Sequence, residues 1–217
     1  MVDGRDSFLG QAWLVLVLAL VFGGTLAGVQ VGLQERIEAN QRAETLGQIP
    51  ALVLGTGVDP AVEMELDEHR LKVQLVDGSS LLMQVVEQDV GGHQVFEVIG
   101  AENQRRLGWV ARGSGQGYAD QIDVLIGLSP DARELTGLYV LSQKETPALG
   151  DGITRAPFTD RFVGAPADRP LEVARDAASA AASPHKILAL TAATISSQSV
   201  CDIVNRTVTD IRPEIGR

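Results

Sequence analysis

Residues 12–29, AWLVLVLALVFGGTLAGV, run for eighteen positions without a charge, and the apolar character continues past Gln30 to Leu33. A helix over that run rises roughly 27 Å, enough to cross a hydrocarbon core of about 30 Å with help from its flanks. Trp13 lies near one end, where an indole suits the interface. A cleaved signal peptide is the competing reading, and it fits less well. Arg5 is offset by Asp3 and Asp6, the run exceeds a usual signal core, and Thr25-Leu26-Ala27 is a poor small-x-small site. The expectation is a short head (1–11), a single uncleaved membrane helix (12–33), and one sizeable folded domain in the remaining length. Arg5 before the span and Arg36 and Arg42 after it leave the orientation open by charge counting.

The formal net charge of −10, with no run of Lys or Arg, argues against nucleic acid as a partner, because phosphates require a basic surface. His69, His93 and His185 are far apart, and the single cysteine, Cys201, has no metal-ligand spacing to any of them. No metal site is expected. Cys201 falls near the apolar face of the last helix, so a buried, inert thiol is its expected state.

After the span, residues 34–50 are charged and rich in helix formers, which reads as an exposed stalk helix stopping before Pro50. Residues 52–60 are turn material, and Glu68 and His69 read as solvated. Leu71–Val76 and Leu81–Val86 are strand-like and separated by Asp77-Gly78, a strong hairpin signal. Gly91-Gly92 marks a turn before a strand over Gln94–Ile99. Further strands are expected over Leu107–Arg112, Ile122–Leu128 and Leu135–Leu141, with a glycine-rich turn over Gly113–Tyr118 and another at Ser129–Asp131. Those glycines either admit a ligand close to the backbone or simply form a small-residue loop. They are not a dinucleotide fingerprint, since the spacing fails and no helix follows.

Gln143–Gly152 reads as a fixed loop after a strand, a usual place for binding groups. Phe158–Pro170 is irregular, and Ala174–Pro184 is either a short helix or a mobile segment. The tally is four to six strands and a terminal helix: an α+β fold with an antiparallel sheet, residues 51–105 forming the first part of the soluble domain.

That terminal helix opens from the hydroxyl-rich turn Leu190–Ser197. From Thr194 onward, Ile195, Val200, Ile203, Val204, Val208 and Ile211 keep to one helical face. Thr191, Thr194, Ser196 and Ser197 crowd a first turn whose N–H groups lack intrahelical partners and whose dipole favours a phosphate. Two readings stand at this point. One is an N-cap with spare hydroxyls; the other is a threonine that holds a phosphate, by contact or covalently.

Three pieces occur here in a fixed order. They are Gly117-Tyr118-x-x-x-Ile122-x-Val124-x-Ile126-Gly127, then Glu145-Thr146-Pro147-x-Leu149-Gly150, then Thr191-x-Ala193-Thr194-x-Ser196-Ser197. Their order and spacing, with the anchor ahead of them, resemble the FMN-binding domain found in the G subunit of the Rnf complex. The C subunit of the sodium-translocating NADH:quinone reductase is related to it. The resemblance covers residues 106–212.

The resemblance implies FMN held through its phosphate on Thr194 by a phosphoester, made by a separate FMN transferase that takes the group from FAD. It implies Glu145, Thr146, Leu149 and Gly150 as one wall, Gly117 and Tyr118 near the ring, and Thr191, Ser196 and Ser197 about the phosphate. It also implies an electron carrier without a complete active site of its own. Its setting would be an ion-translocating complex of the inner membrane linking ferredoxin and NAD, with the soluble domain on the periplasmic side and other membrane subunits as partners. The alternatives are a membrane-anchored structural or assembly subunit without flavin, or an FMN carrier in another extracytoplasmic chain. Three departures from the family pattern stand out. Leu188 occupies the place of an aspartate, and Ala192 and Ala148 replace glycines, which is tolerable wherever φ is negative.

Overall fold

The computed structural model describes residues 8–55, 65–67 and 70–216, so Thr56–Pro60, Glu68, His69 and most of the N-terminal head lie outside the described residues. Two compact units divide at Glu44/Thr45. The first belongs to helix α1 (Phe8–Leu54), whose apolar stretch is wholly exposed and is long and apolar enough to cross a membrane.

The helix does not stop before Pro50. It continues to Leu54, and its last turns belong to the folded unit, with Thr45, Ile49 and Leu52 buried. Pro50 lacks the N–H that would bond four residues back, yet burial of Ile49 and Leu52 outweighs that loss. Residues 34–44 are exposed apart from Glu35, whose side chain lies outside the description, whereas from Thr45 on the helix expected as an exposed stalk is packed into the folded unit.

The folded unit, Thr45–Arg217, is α+β. Its sheet is a seven-stranded antiparallel meander in sequence order: β1 (Glu65–Asp67), β2 (Arg70–Gln74), β3 (Ser80–Val90), β4 (His93–Gly100), β5 (Arg106–Gln116), β6 (Gln121–Leu128) and β7 (Leu135–Ser142). The sheet runs unbroken across both expected parts of the soluble domain. The hairpin at Asp77-Gly78 forms as expected: Gly78 takes φ +83°, and Asp77 accepts from the Ser79 amide at 2.9 Å and its hydroxyl at 2.6 Å.

Alternation along the central strands serves two cores. Phe96, Val98, Val110 and Leu125 face Ile49 and Leu52 of α1, while Val95, Ala111, Val124 and Ile126 face the other side. That second side is closed by α2 (Ala156–Thr159), a 3₁₀ turn over Asp160–Phe162, and α4 (Thr194–Ile215). The stretch expected to be irregular thus supplies core: Phe158 and Phe162 are fully buried and meet edge to face at 5.4 Å. A second, two-stranded parallel sheet pairs β8 (Glu172–Ala174) with β9 (Lys186–Leu188) around α3 (Ala177–Ala181), which Asp176 caps through the Ser179 amide. The strand count therefore exceeds the expected four to six.

The glycine-rich segment is not a turn. Gly113 and Gly115 lie inside β5, and the turn comes later, over Gly117–Asp120. Neither glycine admits a ligand. A Cβ on Gly113 would lie 2.6 Å from Thr207 Oγ1, and one on Gly115 would lie 2.6 Å from Ile203 Cγ1, so both let α4 settle onto the strand.

Candidate functional site

The loop after β7 and the start of α4 meet over the β5–β6 turn. Between them is a cavity of about 420 Å³, within the range of small-molecule sites, whose lining includes Tyr118, Glu145, Leu149, Gly150, Thr194 and Ile195. Thr146, Ala192, Ala193 and Ser196 complete it.

Its floor is Glu145, only 4% exposed. Carboxylate Oε1 accepts the Ala119 amide at 3.1 Å, and Oε2 accepts the Ser196 hydroxyl at 2.5 Å. One side chain thus ties the β5–β6 turn, the loop and the helix start together. Gly117 is required beneath it, because a Cβ there would collide with Glu145 Oε1 and with the Asp120 carbonyl. Gly150 has a related role: a Cβ would lie 2.9 Å from both Glu145 Oε2 and Ser196 Oγ.

Helix α4 begins without a side-chain cap, since its N-cap is Ala193. The hydroxyls of the turn divide into two kinds. Ser196 gives its proton to Glu145, and Ser197 gives its proton to the Ala193 carbonyl at 2.9 Å while accepting the Leu190 amide at 3.0 Å. Both serines are buried, so they brace the turn instead of presenting protons to a phosphate, contrary to expectation. Thr191 is exposed and does not line the cavity. Thr194 is half-buried on the cavity wall, and its hydroxyl has no hydrogen-bond partner among the described residues. Among the described residues no side chain accepts from the amides of the first turn, the condition in which a helix start receives an anion.

The rim is apolar and open. Tyr118 is 65%, Leu149 46% and Ile195 59% exposed. Ile195 therefore belongs to the cavity and not, as the periodicity suggested, to the core face of α4. Ala192, Ala193 and Ile195 had no signal as lining residues beyond their adjacency to Thr194.

The condition under which alanine is tolerated, a negative φ, is not met at either position: Ala148 sits at +61° and Ala192 at +62°. Both keep the left-handed backbone for which glycine is suited. Leu188 lies half-buried in β9, its carbonyl accepting from Arg161. The residues fit a flavin phosphate: an unpaired hydroxyl beside uncapped amides, under an apolar rim that suits an aromatic ring system.

A slightly larger cleft of about 490 Å³ lies against the C-terminal half of α4. It contains none of the expected site residues, and its Arg133 and Arg169 are paired with the neighbouring Asp131 and Asp168. Cys201 is buried, and burial together with the adjacent Asp202 pushes its thiol up to about 12. No group of side chains able to hold a metal occurs among the described residues.

These features define a small-molecule site at a helix start, and residues 117–209 match the FMN-binding domain family. Among curated relatives it is similar to the G subunit of an ion-translocating oxidoreductase complex from Methanosarcina acetivorans, with 27% identity over 92% of this chain and 88% of that one. It is also similar to the G subunit of the Na(+)-translocating ferredoxin:NAD(+) oxidoreductase complex of Acetobacterium woodii, with 32% identity over 53% of this chain and 55% of the relative. Among solved structures, NqrC of Shewanella oneidensis aligns with a TM-score of 0.48 and 18% identity, covering 57% of this chain and 61% of the other.

Proposed function

We propose that this chain is an electron-carrying flavoprotein subunit of a membrane-bound, ion-translocating electron-transport complex of Rnf type, linked to ferredoxin and NAD. FMN is attached to Thr194 through its phosphate. The anchor is a single pass in the inner membrane with the soluble domain on the periplasmic side, and the partners are the other membrane subunits and, during maturation, an FMN transferase. The FMN-binding family match and the two relatives from ion-translocating complexes support the setting.

The observation that carries the attachment is Thr194, a cavity-wall hydroxyl with no hydrogen-bond partner among the described residues, at an uncapped helix start. In the transfer, Thr194 Oγ would bond to the phosphorus of the FMN half of FAD. The bridging P–O bond would break, AMP would leave, and the hydroxyl proton would be released. The amides of the first turn of α4 would hold the phosphate. Tyr118, Leu149 and Ile195 would contact and partly shield the ring, while Thr146 and Gly150 complete the wall. When bound, FMN supplies the ability to accept two electrons and release them singly.

A second reading, an anchored assembly subunit without flavin, is favoured by Leu188 and by Ala192 holding φ +62°. Intact-mass measurement of protein from a host with the matched transferase separates the two. The carrier reading expects one FMN less one water, fluorescence on a denaturing gel, and loss of both in Thr194→Ala. The missing hydroxyl has no partner, so that variant should change stability by less than about 0.5 kcal/mol. Protein from such a host with unshifted mass would establish the second reading instead.

A further inference from the structure

We infer that Glu145 sets the charge selectivity of this site, admitting the monoanionic phosphodiester of tethered FMN and rejecting the phosphomonoester of free FMN. The inference rests on the FMN reading above and concerns a property that the reading does not contain.

Among the described residues, no lysine or arginine lines the cavity, and its one ionisable carboxylate is Glu145. The cations nearest in sequence are engaged elsewhere: Lys144 lies 3.0 Å from Asp120, and Arg155 lies 3.1 Å from Asp151. Both Glu145 oxygens act as acceptors, one from the Ala119 amide and one from the Ser196 hydroxyl, which is the arrangement of an ionised group. Its burial keeps water from screening it.

Through Ser196, Glu145 is held against the first turn of α4, where the helix offers roughly half a positive charge. That positive end is therefore already partly neutralised before any ligand arrives. A phosphomonoester carries about −1.5 to −2 at neutral pH, whereas a phosphodiester carries a single charge. Uncapped amides can hold the one, but the other meets like-charge repulsion with no cation to offset it. Sites that bind free mononucleotides or FMN reversibly need that cation or an unopposed helix start; this site has neither. Retention of the flavin thus falls to the covalent bond, and exchange of free FMN into unmodified protein is suppressed by the same carboxylate. Glu145 acts here as a specificity-determining residue, by repulsion as well as by bracing the turn.

The test uses full-length Thr194→Ala protein in detergent, which cannot be flavinylated, titrated by flavin fluorescence with three probes. These are FMN, riboflavin and a cyclic riboflavin phosphodiester. FMN is expected to half-saturate only above roughly 100 µM. The cyclic diester should bind at least about tenfold more tightly than FMN, because FMN brings up to about one further negative charge against Glu145. Glu145→Gln in the same background should raise the ratio of FMN to riboflavin affinity at least about tenfold, riboflavin reporting any change in the shape of the wall. Should that variant fail to fold, Ile195→Lys, at an exposed position on the wall, should raise the same ratio of FMN to riboflavin affinity by supplying a cation. Low-micromolar FMN binding by the Thr194→Ala protein, equal binding of FMN and the diester, or no gain in either added variant would each overturn the inference. Failure of the covalent reading is scored separately, by the mass of the native protein.

Discussion

Ala148 and Ala192 hold φ +61° and +62° on either side of the cavity, a conformation that costs an L-residue with a Cβ about 1–2 kcal/mol. Replacing either with glycine removes that strain and adds back some unfolded-chain entropy, opposing terms of similar kind. The strain is the larger, so Ala148→Gly and Ala192→Gly should each stabilise the protein by about 0.5–1 kcal/mol in denaturant titration; a loss of stability in both would refute the strain. At this scale the sequence was legible where chemistry is local. Tyr118, Glu145, Thr146, Leu149, Gly150, Thr194 and Ser196 do line one cavity. Hydroxyl direction was not legible, because Ser196 is turned inward by a carboxylate fifty-one positions away. The sign of φ at the alanines was hidden for another reason: a turn's handedness follows from tertiary closure, not from the residue that occupies it.

Strand β5 and helix α4 lie close enough that side-chain volume is excluded between them. At Gly115 a Cβ would meet Ile203 Cγ1 at 2.6 Å, Arg206 Nη2 at 2.8 Å and Ile203 Cδ1 at 3.2 Å. Gly115→Ala should therefore destabilise by about 1–3 kcal/mol as the helix is pushed off the sheet. In an Ile203→Ala background the same change should cost less, and a double-mutant cycle of thermal or denaturant midpoints measures the difference. Additive costs would mean that the helix does not bear on Gly115. The hairpins were readable because Asp77-Gly78 and Gly91-Gly92 punctuate alternating runs. The glycines of β5 resembled the same punctuation, although their purpose is a neighbour about ninety residues later. The end of α1 was unreadable for a similar reason. Thr45–Leu54 looks like stalk until Thr136 is seen bonding the Leu52 carbonyl at 2.6 Å, with Gly127 beneath it, where a Cβ would lie 2.6 Å from that same oxygen.

Where α4 packs on the sheet of the folded unit it buries a thiol, that of Cys201. Burial raises it from an ordinary value of about 8.5 to about 12, with Asp202 adding to the shift. The linkage follows from the direction. A group whose folded pKa lies above its unfolded one contributes stability that is fully present below the unfolded value, and that contribution is lost as pH rises toward the folded value. Stability should therefore decline between about pH 9 and pH 12 more steeply in the wild type than in Cys201→Ala. That comparison removes the titration of tyrosines and lysines, which both proteins share. The substitution itself leaves a small cavity and lowers the whole curve, so the readout is the slope with pH and not the height. A thiol reagent gives an independent measure at about pH 8: native protein should react only at the rate of opening of the core, and unfolded protein at once. Parallel slopes, or rapid labelling of the native state, would show that α4 does not seal the sheet as its buried face implies. The same seal would hold Thr194 in place, because Cys201 and Val200 anchor the helix whose first residue is that threonine.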